Sequence, residues 1–170
     1  MSTHAPVQTE PLEHTLEALA KEHETLIELA KQHRQALRNA DSPAIIRIAE
    51  LRNQTNQRII ALDQERAKIV SEISKSFGLP SANVTVRALI AQIGGPSAKR
   101  LSGLAERLRQ LIEMARTEQL ALREATAAFA GHLGGMLAQV VQSCSVAKTY
   151  NARGKMSPGI AVPASMDLRH

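Results

Sequence analysis

The sequence predicts an all-α fold: an elongated antiparallel helical hairpin or bundle of three long helices plus one short helix, ending in a disordered C-terminal tail. Three observations predict it. Apolar residues recur every three or four positions over three long stretches, which sets them along one face of a helix. Gly, Pro and hydroxyl residues punctuate the chain between those stretches, where helices start and stop. Aromatics make up only 2% of the 170 residues, namely Phe77, Phe129 and Tyr150. The core is therefore aliphatic and holds by many small contacts, each buried Leu or Ile contributing roughly 1.5–3 kcal/mol.

The first stripe reads Leu12, Leu16, Leu19, His23, Leu26, Ala30, His33, Leu37. Thr9 is placed to cap this helix, with Pro11 in its first turn, where a missing N–H costs nothing; the helix continues to about Asn39. Asp41-Ser42-Pro43 is a turn and a new start, with Ser42 as the cap and Pro43 at the first helical position. The second stripe is Ile45, Ile48, Arg52, Thr55, Ile59, Leu62, Arg66, Ile69, Ile73. It ends near Ser76, where Gly78 supplies a left-handed residue and Pro80 forbids resumption. So short a connection makes the first two helices antiparallel neighbours. Thr85 caps a brief helix, Val86 to Ile93, closed by Gly94-Gly95-Pro96. Ser97 then caps a last helix running to about Lys148.

The third stripe lies on that last helix: Leu101, Leu104, Leu108, Leu111, Ala115, Glu118, Leu122, then Phe129, Leu133, Met136, Val140. Some fifty residues span roughly 75 Å at 1.5 Å per residue. That exceeds either partner arm, so the end is expected to overhang the bundle or bend. Gly131, Gly134 and Gly135 lie there, serving either close helix packing or a soft point, each costing about 1 kcal/mol against Ala. The overhang from Met136 through Val146 presents Met136, Leu137, Val140, Val141 and Cys144. A long apolar face not consumed internally suits a helix-in-groove partner, and Leu137, Val140, Val141 and Cys144 are the candidate partner-binding residues.

Composition excludes other classes. The single cysteine, Cys144, allows no internal disulfide, which fits a reducing cytoplasm. Met1 to Glu10 is polar, without an apolar signal region, and no run of about 18 apolar residues exists, so no direct membrane insertion is expected. Net charge is +5, with residues 1–40 at −2 and the tail 148–170 at +3. The basic residues are interleaved with Glu on helix faces, the pattern of a solvated surface and not of a nucleic-acid interface. Gly94-Gly95-Pro96 lacks the Lys and Ser/Thr of a phosphate loop. His23 and His33 share a stripe but stand ten residues apart, about 15 Å along the axis, too far to hold one metal. They and Arg52 and Arg66 read as polar register residues in the seam or at its edge. Neither a catalytic set nor a metal or cofactor site emerges.

Read in order, several segments resemble the FlgN-like family of flagellar type III export chaperones. Ala61-Leu62-Asp63-Gln64-Glu65-Arg66, Ile69-Val70 and Phe77-Gly78-Leu79-Pro80 are similar to the family's acidic-Arg pair, apolar continuation and Gly-Leu-Pro stop. Val84-Thr85-Val86-Arg87-Ala88-Leu89 precedes Gly95-Pro96 as the family's short segment does. The last helix runs out into Thr149-Tyr150-Asn151-Ala152-Arg153-Gly154, matching a closing Tyr, a short polar spacer and a Gly. The resemblance covers about residues 12–155. One departure stands out: the Asn-x-x-Asn common in the family's last helix is missing from Met114-Ala115-Arg116-Thr117-Glu118-Gln119-Leu120-Ala121.

The resemblance implies a cytoplasmic chaperone without cofactors. It would bind the C-terminal amphipathic helices of hook-associated proteins, which form the hook–filament junction, and hand them to the cytoplasmic domain of the export gate. By position, Tyr150 and Gly154 would serve the docking on the gate; the plain alternative for Tyr150 is a helix-end aromatic packed on the bundle. The expected organisation is a disordered N-terminus over 1–8, a helical bundle over 9–149 and a flexible docking tail over 150–170. The competing reading is a structural coiled-coil protein that self-associates through its stripes.

Overall fold

Four helices account for the residues that the computed structural model describes, 9–78 and 85–147, with side chains as far as Cys144. They are α1 (Glu10–Arg38), α2 (Ser42–Ser76), α3 (Val86–Ile93) and α4 (Gly95–Ala147). The chain divides into two compact units, Met1–Thr126 and Ala127–His170. The expected end segments 1–8 and 150–170 lie outside the described residues, as does Pro80.

Helix ends follow local chemistry, with three corrections to the sequence reading. Thr9 precedes α1, but its hydroxyl makes no cap bond to the backbone. It donates instead to Glu13 Oε1 at 2.9 Å. The cap of α2 is Asp41 and not Ser42: Asp41 Oδ1 accepts from the Ala44 N–H at 3.0 Å. A carboxylate beside the positive end of a helix is the stronger choice, since it is charged as well as accepting. Ser97 does not cap α4, which already begins at Gly95 (φ 66°), directly after Gly94 (φ 65°). Thr85 caps α3 as expected, accepting from the Ala88 N–H at 3.2 Å, and Gly78 (φ 67°) closes α2.

The α1–α2 turn was not foreseen in its detail. The Asp41 N–H reaches the Ala36 carbonyl at 3.0 Å and the Ala40 N–H reaches that of Leu37 at 3.1 Å, the paired bonds that terminate a helix around one left-handed residue. That residue is Ala40, at φ 52°, where a glycine is usual.

α1 and α2 form an antiparallel hairpin, as Arg58 Nε on Glu22 Oε2 at 3.0 Å and Arg52 on His33 record. α4 runs parallel to α1. Arg100 bonds Glu13 and Arg107 bonds Glu24, at sequence separations of 87 and 83, and Arg34 Nη2 lies 2.6 Å from Glu118 Oε2. The Arg100 hydrogen bond holds the Glu13 carboxyl below the usual carboxylate range, against the opposing effect of burial. Between the helices lies an aliphatic core of Leu12, Leu16, Leu19, Val70, Ile73, Leu89, Leu101 and Leu108. α3 inserts Leu89 into it, with Val86, Ile90 and Ile93 alongside. A second cluster joins Leu26, Ile27 and Ala115, and a third Leu29, Ala36 and Ile48 near the turn. All three sequence stripes thus face inward in this unit. The carrying force is burial of Leu and Ile, and the ion pairs at its rim set register more than stability.

Candidate functional site

The third stripe behaves differently along its length. Leu101, Leu108, Ala115 and Leu122 are buried, Leu101 completely. In the second unit Leu133, Met136, Leu137, Val140 and Val141 all stand about half or more exposed, Leu137 at 65% and Val141 at 61%. Cys144 is exposed too. The helix-forming pattern is the same in both stretches; what differs is cover. At the offset set by the α1–α4 ion pairs, about 84 residues, the turn at Asn39–Asp41 comes level with α4 near Arg123. The hairpin that covers the first part of the stripe ends there.

At about 100° per residue, Leu133, Leu137, Val140 and Cys144 fall within some 60° of one another, with Met136 and Val141 at the margins. These are the expected client residues Leu137, Val140, Val141 and Cys144, brought onto one apolar ridge with Leu133 between them and the buried stretch. Free surfaces of monomers seldom carry contiguous ridges of this kind without a partner. The glycines on the helix do not serve close packing: a Cβ added at Gly131, Gly134 or Gly135 would meet nothing within 4 Å. Tyr150 and Gly154 lie outside the described residues.

Other candidates are weaker. His33, 7% exposed, sits in the α1–α2 seam with Nδ1 3.4 Å from Arg52 Nη1. Burial pushes the imidazole pKa down and the Arg52 charge pushes it further, so the ring is neutral and accepts from the guanidinium. His23 is half-buried; its pKa is lowered by burial, with Asp63 opposing. Arg66 bonds Asp63 on its own helix at 2.8 Å. Of these polar residues, Arg52 and His33 bond each other across the α1–α2 seam, while Arg66 pairs along its own helix. Among the described residues no group of three or more His, Cys, Asp or Glu could hold a metal ion, and no helix is long and apolar enough to cross a membrane. Where the Asn-x-x-Asn pair is missing, Met114 and Leu120 are exposed on the outer surface of α4, a feature the inward-facing stripes did not reveal.

The model of a protein family described as FlgN protein matches residues 1–158. No curated protein and no solved structure matches the chain.

Proposed function

Because this chain belongs to the FlgN family, whose role is that of a non-enzymatic chaperone in flagellar export, we propose that it works in the cytoplasm on hook-associated proteins. It binds their C-terminal amphipathic helices on the apolar ridge of α4 and delivers them to the cytoplasmic domain of the export gate. The observation that carries this reading is the change of cover along one stripe, from complete burial at Leu101 to 65% exposure at Leu137. A chaperone needs such a face: apolar, helical in period and empty until the client arrives. Delivery is assigned to Tyr150 and Gly154 on the strength of the sequence resemblance, an aromatic anchor with a polar tip being suited to a shallow pocket on the gate.

The test is calorimetric titration of the purified chain with a C-terminal fragment of a hook-associated protein. In Val140→Asp/Val141→Asp, charge is placed on the ridge at a cost of several kcal/mol on desolvation, so affinity is expected to fall by at least about a hundredfold. Helicity should stay unchanged, both positions being exposed. Undiminished affinity would remove the client from this ridge. Tyr150→Ala is expected to spare client binding and weaken binding to the gate domain; loss of both would make Tyr150 a support of the bundle. A chain that sediments as a dimer and ignores the client would favour the self-associating coiled coil instead.

A further inference from the structure

The apolar ridge of α4 and the chain that follows it belong to one compact unit, Ala127–His170. Two stretches of that unit contain no Asp, Glu, Lys or Arg. One is Ala127 through Ala147 in α4, and the other is Met156 through Met166. The second stretch carries Met156, Ile160, Val162 and Met166, so it is apolar as well as uncharged. The charges between the two, Lys148, Arg153 and Lys155, all fall on the connection. Segment and ridge can therefore meet without taking a charge out of water, the costly step in burying polar surface.

Spacing and reach fit as well. Pro158, Gly159 and Pro163 favour extended chain over helix. On extended chain, alternate residues such as Ile160 and Val162 stand about 6.6 Å apart on one side. Ridge residues four apart, such as Leu133 and Leu137 or Val140 and Cys144, stand about 6 Å apart along the helix axis. One pair can therefore seat along the other. Ile160 comes thirteen residues after Ala147, where α4 ends. A polar chain of that length without regular structure has a root-mean-square span of roughly 20 Å. Leu133, the far end of the ridge, lies fourteen residues back along the helix from Ala147, about 21 Å. A tether gives its highest effective concentration, about the millimolar range, when its mean span matches the distance to be bridged. A modest apolar contact is enough to close such a loop.

We propose that the segment Met156–Leu168 folds back on the α4 ridge of its own molecule, with Ile160 and Val162 seated along Leu133–Cys144. The segment is then an internal competitor, and a client that takes the ridge must displace it. Tyr150 and Gly154 lie in the connection and outside this contact, so their assignment to the gate is untouched. The inference rests on the chaperone reading only for what displaces the segment; the cover itself is a property of the chain alone.

Alkylation of Cys144 by a neutral reagent in the full chain, without client, tests this. Cys144 is the sole cysteine and stands on the ridge. Ile160→Ser/Val162→Ser removes the apolar pair and adds no charge near the thiol. Only open chains react, so a cover present in about three molecules of four slows the reaction about fourfold. The variant should therefore react at least about threefold faster than the wild type, with an unchanged circular dichroism spectrum. Gln139→Cys with Cys144→Ser places a thiol on the other side of α4, about 130° from the centre of the ridge. There the same pair of tail substitutions should leave the rate unchanged. Neither rate should depend on protein concentration, since the contact is within one molecule. Equal rates at Cys144 in wild type and variant would overturn the cover and leave the chaperone reading to the Val140→Asp/Val141→Asp titration. Equal acceleration at both thiols would also overturn it, because the substitutions would then have loosened α4 itself. Protection of the wild type that vanishes on dilution would give the ridge to a second copy.

Discussion

Two leucines on one stripe of one helix should respond in opposite ways to the same truncation. Leu101 is 0% exposed and sits in the main core with Leu12, Leu16 and Leu89. Leu101→Ala removes a fully buried side chain and leaves a void among packed neighbours, so the first unit should lose about 2–5 kcal/mol. Leu137 is 65% exposed, so only about a third of its burial is realised in the chain alone. With full burial of Leu contributing roughly 1.5–3 kcal/mol, Leu137→Ala should cost stability no more than about 0.5–1 kcal/mol. The other two thirds, about 1–2 kcal/mol, is available to a partner, and its loss would weaken client binding about five- to thirtyfold. Urea unfolding followed by helical ellipticity gives the first quantity, and titration with a hook-associated protein fragment gives the second. Equal destabilisation by the two substitutions would refute the reasoning, since Leu137 would then be buried in the solution structure. A Leu137→Ala protein with unchanged stability and unchanged affinity would show that the ridge is exposed but not used.

Acid should weaken the hairpin through His33. Its folded-state pKa lies below the ordinary value because of burial and the Arg52 charge, so the unfolded chain takes up the proton first. Stability from this site is fully present above the unfolded-state pKa of about 6.5 and is lost as pH falls from there through the folded-state pKa. Unfolding free energies of the wild type should therefore decline between about pH 7 and 5, and His33→Gln should flatten the slope; an equal slope would assign it to other groups, such as His23. At the α1–α2 turn, Ala40→Gly relieves a side chain held at φ 52° and is expected to raise stability by up to about 1 kcal/mol, read as a higher melting temperature. A lowered one would mean that the added freedom of the unfolded chain outweighs the strain.

Much of this molecule is legible in one dimension because helices are local. Leu12 through Leu37 announces α1 by spacing alone, Thr85 announces α3 by its hydroxyl before an apolar run, and Gly78 announces the end of α2 by needing no Cβ. Where the sequence misled, two local solutions of similar energy competed. Asp41 and Ser42 are adjacent and both can cap, and only the turn geometry decides that Asp41 reaches the Ala44 N–H. Ala40 gives no sign of a left-handed residue, because alanine carries no preference for one; the bonds from Ala40 and Asp41 to Leu37 and Ala36 impose it.

The sequence by itself determined four helices, their inward stripes and the antiparallel pairing of the first two, since period, caps and loop length each act within a few residues. It also carried the family resemblance. Helix length against the shorter arms also announced an uncovered end; what only tertiary structure decided is where along the last helix the cover stops. Leu101 and Leu137 each belong to a stretch with apolar residues every three or four positions, and that spacing alone does not distinguish them. Their difference comes from register over some 84 residues of chain, fixed by contacts of α1 with α4 such as Glu24–Arg107 and Arg34–Glu118. Those contacts bring the hairpin's end level with Arg123. Burial is a property of what lies opposite a residue, and that is set by the fold.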